Sequence, residues 1–486
     1  MKYIKQIASA GIVLFVASSC KVGESYQRPD LGIQDQYYGA AQLDTTTIDN
    51  QSVLADVNWR DYFEDSTLIS LIDTALTHNI ALQREDKQIE IGYQNLQISK
   101  ADFYPNLGFS PFEYTREYYS ENFNNYGSNR ARRNHGENPP RTLYTERLAY
   151  TASLYASWEL DIWGKLRWQK ESASASLLQS EEFKKAVQTA VVADVASTYY
   201  NMLMLNSQIA VARRNLELGR STLRIVELQF EADETTSLAI QQTKTQILNA
   251  ESLIPQLERE YILLENRLNQ LLGRYPQPIE IEQTLEEVMF DDRYTVGVPL
   301  ELINNRPDVA AAEYQLIASN AQVGIAQAMK YPSIVLNAST GLNSMAFSSF
   351  LNPLGSGFAL LNGGIFQPIF QNRRLSANHD IAIAERQLAE LDFKENVIAA
   401  VREVSDALVT IEKLREEYRI AQLRLIAASR GVRDASLLFQ SGFANYLEVI
   451  NAQEDALQSE LNLVDLKRQI IIANIELYRS LGGGWK

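Results

Sequence analysis

The sequence predicts an α+β membrane protein, an internally duplicated chain in which each half gives a pair of β-strands and two long helices. Three observations predict it. Residues 148–162 alternate apolar and polar side chains, as a strand with one oily face does. Two long stretches carry apolar residues at alternating steps of four and three. Short motifs also recur at a near-constant offset along the chain.

The first element is a leader, residues 1–19. Lys2 and Lys5 form a basic start, Ile7 to Ala17 an apolar run of secretory length, and Ala17, Ser18 and Ser19 a small-residue end before Cys20. Such a run is too short for a stable membrane-spanning helix. The small-small-Cys ending resembles a bacterial lipobox and departs from it at Ala17, where a larger aliphatic residue is usual. On that resemblance Cys20 is acylated and becomes the mature N-terminus. An ordinary cleaved leader beside a fortuitous Cys is the alternative. Lys21, in place of the Asp that signals inner-membrane retention, favours the outer membrane. Acyl chains contribute about 0.8 kcal/mol per buried CH₂. Residues 20–65 then form an extended, lipidated N-terminal segment.

The first repeat, residues 66–275, opens with a helix over roughly 66–102 and passes to a strand pair at about 103–163. The second repeat, residues 301–486, opens with a helix over 307–330 and has its strand pair at about 331–370. Ala101-Asp102-Phe103-Tyr104-Pro105 is echoed by Ala328-Met329-Lys330-Tyr331-Pro332, an offset of 227. Phe230 pairs with Phe439, Leu238 with Leu447, and Leu272-Gly273 with Leu481-Gly482, an offset of 209. The first copy is longer by an insertion at roughly 119–142. Its Tyr118, Tyr119, Phe123 and Tyr126 suit either a membrane interface or a surface loop. Arg130, Arg132 and Arg133 suit a solvated or headgroup-facing patch. Pro105 and Pro332 end the helices and suit a strand start.

Between 148 and 162 the even positions Leu148, Tyr150, Ala152, Leu154, Ala156, Trp158, Leu160 and Ile162 are apolar. Thr151, Ser153, Ser157, Glu159 and Asp161 occupy the odd ones. That fits a transmembrane barrel strand or a half-buried sheet. Around Pro111 the period slips from Leu107/Phe109 to Phe112/Tyr114, which predicts a bulge or strand end.

Lys165 to Phe230 contains no Pro, and a helix of that length is roughly 100 Å long. Val191, Val195, Thr198, Met202, Leu205, Ile209, Ala212, Leu216, Gly219, Leu223, Val226 and Phe230 keep a 3.5-residue period, the pattern of coiled-coil packing. Val397, Val401, Val404, Leu408 and Ile411 do likewise; the register then moves to Leu414, Tyr418, Ala421, Leu425 and Ala428, a step that overwinds the coil locally. A tube or stalk, rather than a compact core, uses helices of this length.

Composition removes several function classes. With 60 acidic against 45 basic residues the net charge is −15, unsuited to nucleic acid. One Cys excludes an intrachain disulfide framework and a Cys-based zinc site. His78, His135 and His379 are far apart, and no nucleophile elbow, P-loop or metal-ligand spacing occurs. No enzyme and no cofactor beyond the covalent lipid is expected. Four strands cannot close a membrane barrel, and an open sheet leaves unpaired edges in lipid. Several chains must therefore share one barrel if the strands span a membrane.

Further motifs bring a resemblance. Tyr26-Gln27-Arg28-Pro29 follows Cys20; Trp59 and Phe63 precede Leu68 and Leu71. Arg306-Pro307-Asp308-Val309 leads to Ala312-Glu313, Gly324 and Tyr331-Pro332-Ser333. Leu361-Asn362-Gly363-Gly364 comes with Phe370. Gly442, Tyr446-Leu447, Ala452-Gln453, Leu477-Tyr478 and Leu481-Gly482-Gly483-Gly484-Trp485 close the chain. In this order, over essentially the whole mature length, they resemble a TolC-type outer-membrane factor of the lipoprotein branch that serves RND efflux pumps. The resemblance implies a homotrimer in the outer membrane, with a twelve-stranded barrel continued by a coiled-coil α-helical periplasmic barrel. An equatorial belt would include the inter-repeat segment 276–300. It implies as partners a periplasmic adaptor and an inner-membrane RND transporter. The channel passively conducts drugs or other small molecules.

The resemblance also places a periplasmic gate in Gly442–Glu454 and in its repeat counterpart at Asp233–Gln242. Leu447, Asn451 and Glu454 share a helical face. Around a three-fold axis Leu447 would form an apolar constriction, and Glu448, Asn451 or Glu454 polar rings; Leu238 and Gln242 are the first-repeat counterparts. Asn451 and Glu454 depart from the Asp and basic residue common in relatives. Leu447 as a coiled-coil core residue and the two Glu as solvated surface remain the alternatives. Glu159 and Asp161 are candidate lumen charges favouring cations, although the excess acid equally suits the periplasmic exterior. The competing readings are a lipid-anchored scaffold without a pore, and a metal-ion or type I secretion channel of the same fold. The six Met form no cluster that would favour metal.

Overall fold

The computed structural model describes residues 21–32, 54–120, 144–288 and 305–486. The leader, Cys20, and Phe123, Tyr126, Arg130, Arg132 and Arg133 of the insertion lie outside them. The helices in chain order are α1 (Trp59–Tyr62), α2 (Ser66–His78), α3 (Ile80–Ala101), α4 (Lys165–Glu231), α5 (Ser237–Leu271), α6 (Pro307–Ala328), α7 (Phe347–Phe350), α8 (Pro353–Ser356), α9 (Arg374–Gln440) and α10 (Tyr446–Ser480). The strands are β1 (Asn106–Ser120), β2 (Tyr144–Leu160), β3 (Ser333–Ser344) and β4 (Gly357–Phe366).

Element lengths repeat along the chain. Both α4 and α9 have 67 residues, both α5 and α10 have 35, and both α3 and α6 have 22. The helix expected over 66–102 is broken at Asn79, whose side chain accepts from Ala81 N at 2.8 Å and donates to the carbonyl of Leu271 at 2.8 Å. That amide ends α2, caps α3 and fastens the break to the end of α5.

The chain forms two compact units, each drawn from both repeats. One takes residues 21–27, Gly92–Ser176 and Ile317–Leu388 and holds the whole sheet; the other takes the described residues of Arg28–Ile91, Leu177–Leu316 and Ala389–Lys486. In the second unit the 3.5-residue stripe is the packing seam. Val191, Val195, Thr198, Met202, Leu205, Ile209, Ala212, Leu216 and Val226 are buried. Leu205, Ile209 and Ala212 pack on Leu257 of α5, with Leu253, Ile254 and Tyr261 around them. Phe230, at the end of the stripe, is exposed. Across the register step of α9 both Ile411 and Leu414 are buried within an unbroken helix. Tyr199 donates to the Asp65 carboxylate; burial and that neighbouring charge push its phenol far above the ordinary value, so it stays a donor.

The sheet is antiparallel throughout, in the order β1-β2-β3-β4, so β1 and β4 are its edges. The slip read around Pro111 is a register shift between Ser110 and Glu113. Among the described residues no helix is long and apolar enough to cross a membrane.

Candidate functional site

Residues paired across neighbouring strands share a face of the sheet, so the register sorts every side chain. One face carries Leu107, Phe109 and Tyr114 of β1 and Leu148 to Leu160 in alternation on β2. It continues through Ile334, Leu336, Ala338 and Leu342 of β3 to Leu361 and Ile365 of β4. The other carries Asn106, Ser110, Glu113, Thr151, Ser153, Ser157, Glu159, Ser333, Asn337, Ser339, Asn343 and Asn362. The alternation legible in β2 extends over β1 and β3, whereas β4 is apolar on both faces, with Phe358, Leu360 and Phe366 on the side of Asn362. Leu107, Phe109, Leu154, Leu361 and Ile365 stay exposed, and among the described residues nothing covers this part of the apolar face. A sheet with one mainly apolar face and another that gathers most of its amide, hydroxyl and carboxylate groups is suited to part lipid from water.

Aromatic residues mark two levels on it. Near the helices, Trp163 stacks on Tyr331 at 4.9 Å and Trp158 Nε1 donates to the carbonyl of Phe103 at 3.0 Å. At the far end Tyr150 meets Tyr114 at 5.4 Å, Phe347 at 5.5 Å and Phe350 at 6.3 Å. The run from Tyr150 to Leu160, tilted as barrel strands are, spans roughly 25 Å, the height of an outer-membrane apolar band.

Glu159 lies on the polar face, and both its oxygens accept from Lys165 Nζ at 2.8 Å. Asp161, read from the alternation as a strand residue, lies past the end of β2. Its carboxylate caps α4, accepting from Leu166 N at 2.9 Å and from Arg167 Nε at 2.9 Å. The chain leaves the sheet at Leu160 and the next helix needs an acceptor for its free N–H groups, which takes Asp161 out of the alternation. The residues just after Cys20 dock at this junction. Lys21 Nζ sits 3.2 Å over the Trp168 ring and pairs with Glu171, and Trp168 Nε1 donates to the carbonyl of Val22 at 2.6 Å.

The two helical tips match each other. In the first, Asp233 is left-handed at φ 56°, with Asp233 N donating to Phe230 O and Glu234 N to Gln229 O. In the second, Gly442 at φ 76° makes the same pair of bonds, Gly442 N to Phe439 O and Phe443 N to Leu438 O. Each is a Schellman end, and Gly meets its left-handed requirement at no side-chain cost. Asp233 and Gly442 are also separated by the offset of 209. Asn445 Oδ1 then caps α10, accepting from Leu447 N at 2.9 Å.

Val226 and Ala239 of the first tip pack with Phe439 and Val449 of the second in one small core. Gln453 Nε2 donates to Thr222 Oγ1 at 2.8 Å in a buried position, and the Tyr446 hydroxyl donates to Gln242 Oε1. Arg214 pairs with Glu460 further along. The structure thus brings Gln242 to Tyr446, and these cross-ties, with Gln453 and Thr222, were missed from sequence. Leu447, Glu448, Asn451 and Glu454 lie instead on the exposed side of α10, opposite buried Val449, Ile450 and Gln453. Leu238 and Leu447 are 60% and 44% exposed, too open for core positions of a single chain.

The remaining signature residues are structural. Buried Arg306 holds Asp308 through two bonds of 3.0 and 2.7 Å, Glu403 at 2.8 Å and the carbonyl of Ser480 at 2.9 Å. Burial works against the charge of Asp308, but the bonds and field of Arg306 outweigh it and hold the carboxyl below its ordinary value. Gly482 takes φ 90° beside this site, where a Cβ would lie 2.4 Å from the carbonyl oxygen of Asn305. Trp59, Phe63, Leu68 and Tyr478 fill the surrounding core. Among the described residues no group of three or more His, Cys, Asp or Glu is placed to hold a metal ion.

With this geometry in hand, the family model for outer membrane efflux proteins matches residues 71–274 and 298–483. The cation efflux system protein CusC of Escherichia coli is 27% identical over 474 residues, covering 98% of each chain. The toluene efflux pump outer membrane protein TtgF of Pseudomonas putida is 27% identical over 481 residues, covering 98% of this chain and 96% of the relative. A crystal structure of CusC superposes with TM-score 0.82, covering 96% of this chain and all of that one. A membrane protein from Pseudomonas aeruginosa superposes with TM-score 0.84 at 26% identity, covering 95% of this chain and all of that one.

Proposed function

The chain belongs to the outer membrane efflux protein family, and from that premise we propose that it is the outer-membrane exit duct of a tripartite RND-type efflux pump. It is an outer-membrane channel component and not an enzyme. Three copies close a twelve-stranded barrel by pairing the β4 edge of each with the β1 edge of the next. A periplasmic adaptor and an inner-membrane transporter deliver small molecules to it and supply the energy. Acylation of Cys20 anchors the mature start, consistent with Lys21 and Val22 docking at the end of the sheet.

One observation carries the reading: an apolar face spread over all four strands, with both sheet edges left open. Open edges are ruinous in lipid, and a trimer removes them. A scaffold without a pore has no use for such a face. Purified protein should run as a trimer and give discrete conductance steps in a planar bilayer; a trimer without conductance would return the scaffold reading.

At the tips, Leu447 with Asn451 and Glu454, and Leu238 beside Gln242, face the axis of the trimer and narrow the closed duct. Glu448 and Glu454 supply its negative charge. The adaptor favours the state in which the two tips part. Glu159 lines the barrel but is largely neutralised by Lys165, and Asp161 serves its helix cap. The relatives named for cation and for toluene efflux are equally similar at 27%, so overall likeness does not select a substrate class.

A further inference from the structure

From Tyr331 through Asn372 the sequence contains no Asp, Glu, Lys or Arg, and the run is bounded by Lys330 and by Arg373. The connection between β3 and β4 lies inside this uncharged run. The matching connection between β1 and β2 carries Glu121, Arg130, Arg132, Arg133, Glu137 and Arg141. The two connecting segments therefore differ sharply in charge.

The uncharged one folds down onto the sheet. Strand β3 ends at Ser344 beside Tyr150, a residue of the apolar face. Buried Phe350 packs on Phe112 at 6.0 Å and Tyr150 at 6.3 Å, and Phe347 on Tyr150 at 5.5 Å. So α7 lies on the oily side of the sheet, not over its polar side, and α8 packs beside α7 and β3.

Several of its polar groups bond one another, while Ser348, Ser349 and Asn352 remain exposed. Ser344 Oγ donates to the carbonyl of Ala346 at 2.9 Å and bonds Ser349 Oγ at 2.8 Å. Ser356 Oγ donates to the carbonyl of Ser349 at 2.8 Å, and Asn352 Oδ1 accepts from Leu354 N at 3.2 Å. Backbone bonds Ser349 N to Ala346 O, Asn352 N to Ser349 O, Gly355 N to Asn352 O and Ser356 N to Asn352 O add to these. Its large apolar side chains Met345, Phe347, Leu351 and Leu354 face outward, at 65%, 62%, 75% and 100% exposure. A loop in water has no need to satisfy its own backbone while exposing four large apolar side chains. Backbone in hydrocarbon does, since no water is there to pair with a free N–H or C=O group.

We propose that residues 345–356 form a lipid-inserted foot, with Met345, Phe347, Leu351 and Leu354 in the acyl chains of the outer leaflet. The foot extends the lipid-facing surface sideways and fixes the depth of the barrel at its outer aromatic level. The proposal rests on the reading of the apolar face as the lipid face. Its partner is a hydrocarbon surface, because the segment is continuous with that face and carries no charge for a headgroup or an aqueous partner to meet.

The test places a cysteine-linked bimane at Leu354→Cys, and separately at Leu351→Cys, in the full-length trimer. The trimer is reconstituted into phosphatidylcholine vesicles, and the unmutated chain sets the labelling background. Both side chains point outward, so neither substitution disturbs packing. Leu361→Cys on the apolar face and Asn337→Cys on the polar face are the reference positions. Nitroxide on the lipid acyl chains should quench positions 354, 351 and 361 strongly and spare 337, while iodide in the water should do the reverse. Quenching of 354 and 351 by iodide alone, or by neither agent as under a neighbouring copy, with 361 still quenched by lipid, overturns the proposal and leaves the channel reading standing. Failure of lipid nitroxide to quench 361 overturns both.

Discussion

Removing the cross-ties between the two tips should open the duct, and the size of the effect follows from two bonds. Gln453→Leu deletes the buried 2.8 Å bond to Thr222 while keeping side-chain volume. Tyr446→Phe deletes the hydroxyl that donates to Gln242 and keeps the ring that packs on the small core of Val226, Ala239, Phe439 and Val449. A neutral hydrogen bond contributes about 1 kcal/mol net, so the pair contributes about 2 kcal/mol per protomer. If parting the tips is the opening motion, both bonds exist only in the closed state. Each protomer then shifts toward open by about thirtyfold, and a concerted trimer by about 6 kcal/mol. Single-channel recording of the double variant should show long open dwells at a raised conductance. Each single variant should fall between it and the unmodified trimer. Trimer stability should fall only slightly, since the apolar contacts remain. A double variant with unchanged conductance and lowered thermal stability would refute the reasoning: the bonds would hold the fold, and opening would occur elsewhere.

Other consequences follow from the sites described. Arg306→Met should leave Asp308 and Glu403 facing each other without their cation and cost about 2–3 kcal/mol, less than for a fully buried pair because both carboxylates reach solvent; chemical denaturation of the trimer measures it. The lowered value of Asp308 sets a pH window with a definite sign: its contribution is complete above the ordinary carboxylate pKa of about 4 and is lost as pH falls through the lower folded value. The unmodified chain should therefore lose more stability than Arg306→Met on acidification below about pH 4, as thermal melts across that range would register. Gly482→Ala must move the Asn305 carbonyl and hold an L-residue at φ 90°, so about 2 kcal/mol or more of stability should go, visible as a lowered melting temperature, whereas Gly431→Ala, with open space around its Cβ, should not lower it. In the barrel, Glu113 lies on the polar face with Thr151 opposite. Glu113→Gln should reduce cation preference in reversal-potential measurements on the open-gate variant more than Asp161→Asn, which removes a helix cap and should act on stability first.

Much was legible because repetition and alternation are local properties of a chain. The offset of 209 foretold paired tips at Asp233 and Gly442, and the slip at Pro111 foretold the register shift beside Glu113. The stripe from Val191 to Val226 named its own buried seam. Hydrophobic period follows backbone geometry, so it survives reading one residue after another. Phe230 ends its stripe exposed because a helix tip runs out of partner before it runs out of period. The Asn79 break was invisible for the opposite reason: its cap is completed by the carbonyl of Leu271, far away in the sequence.

By itself, then, the sequence determined the elements, the duplication, the oily phase of the strongest strand and the positions of both tips. Tertiary structure decided how they are used. Register alone shows that the oily phase of one strand is shared by all four, since faces are assigned by pairing across strands. Proximity alone ties Gln453 to Thr222 and Tyr446 to Gln242, and makes Asp161 a helix cap rather than a strand residue. It also folds an uncharged turn onto the apolar face instead of into water. Periodicity records which way a residue points within its own element; only the packed chain records what stands opposite.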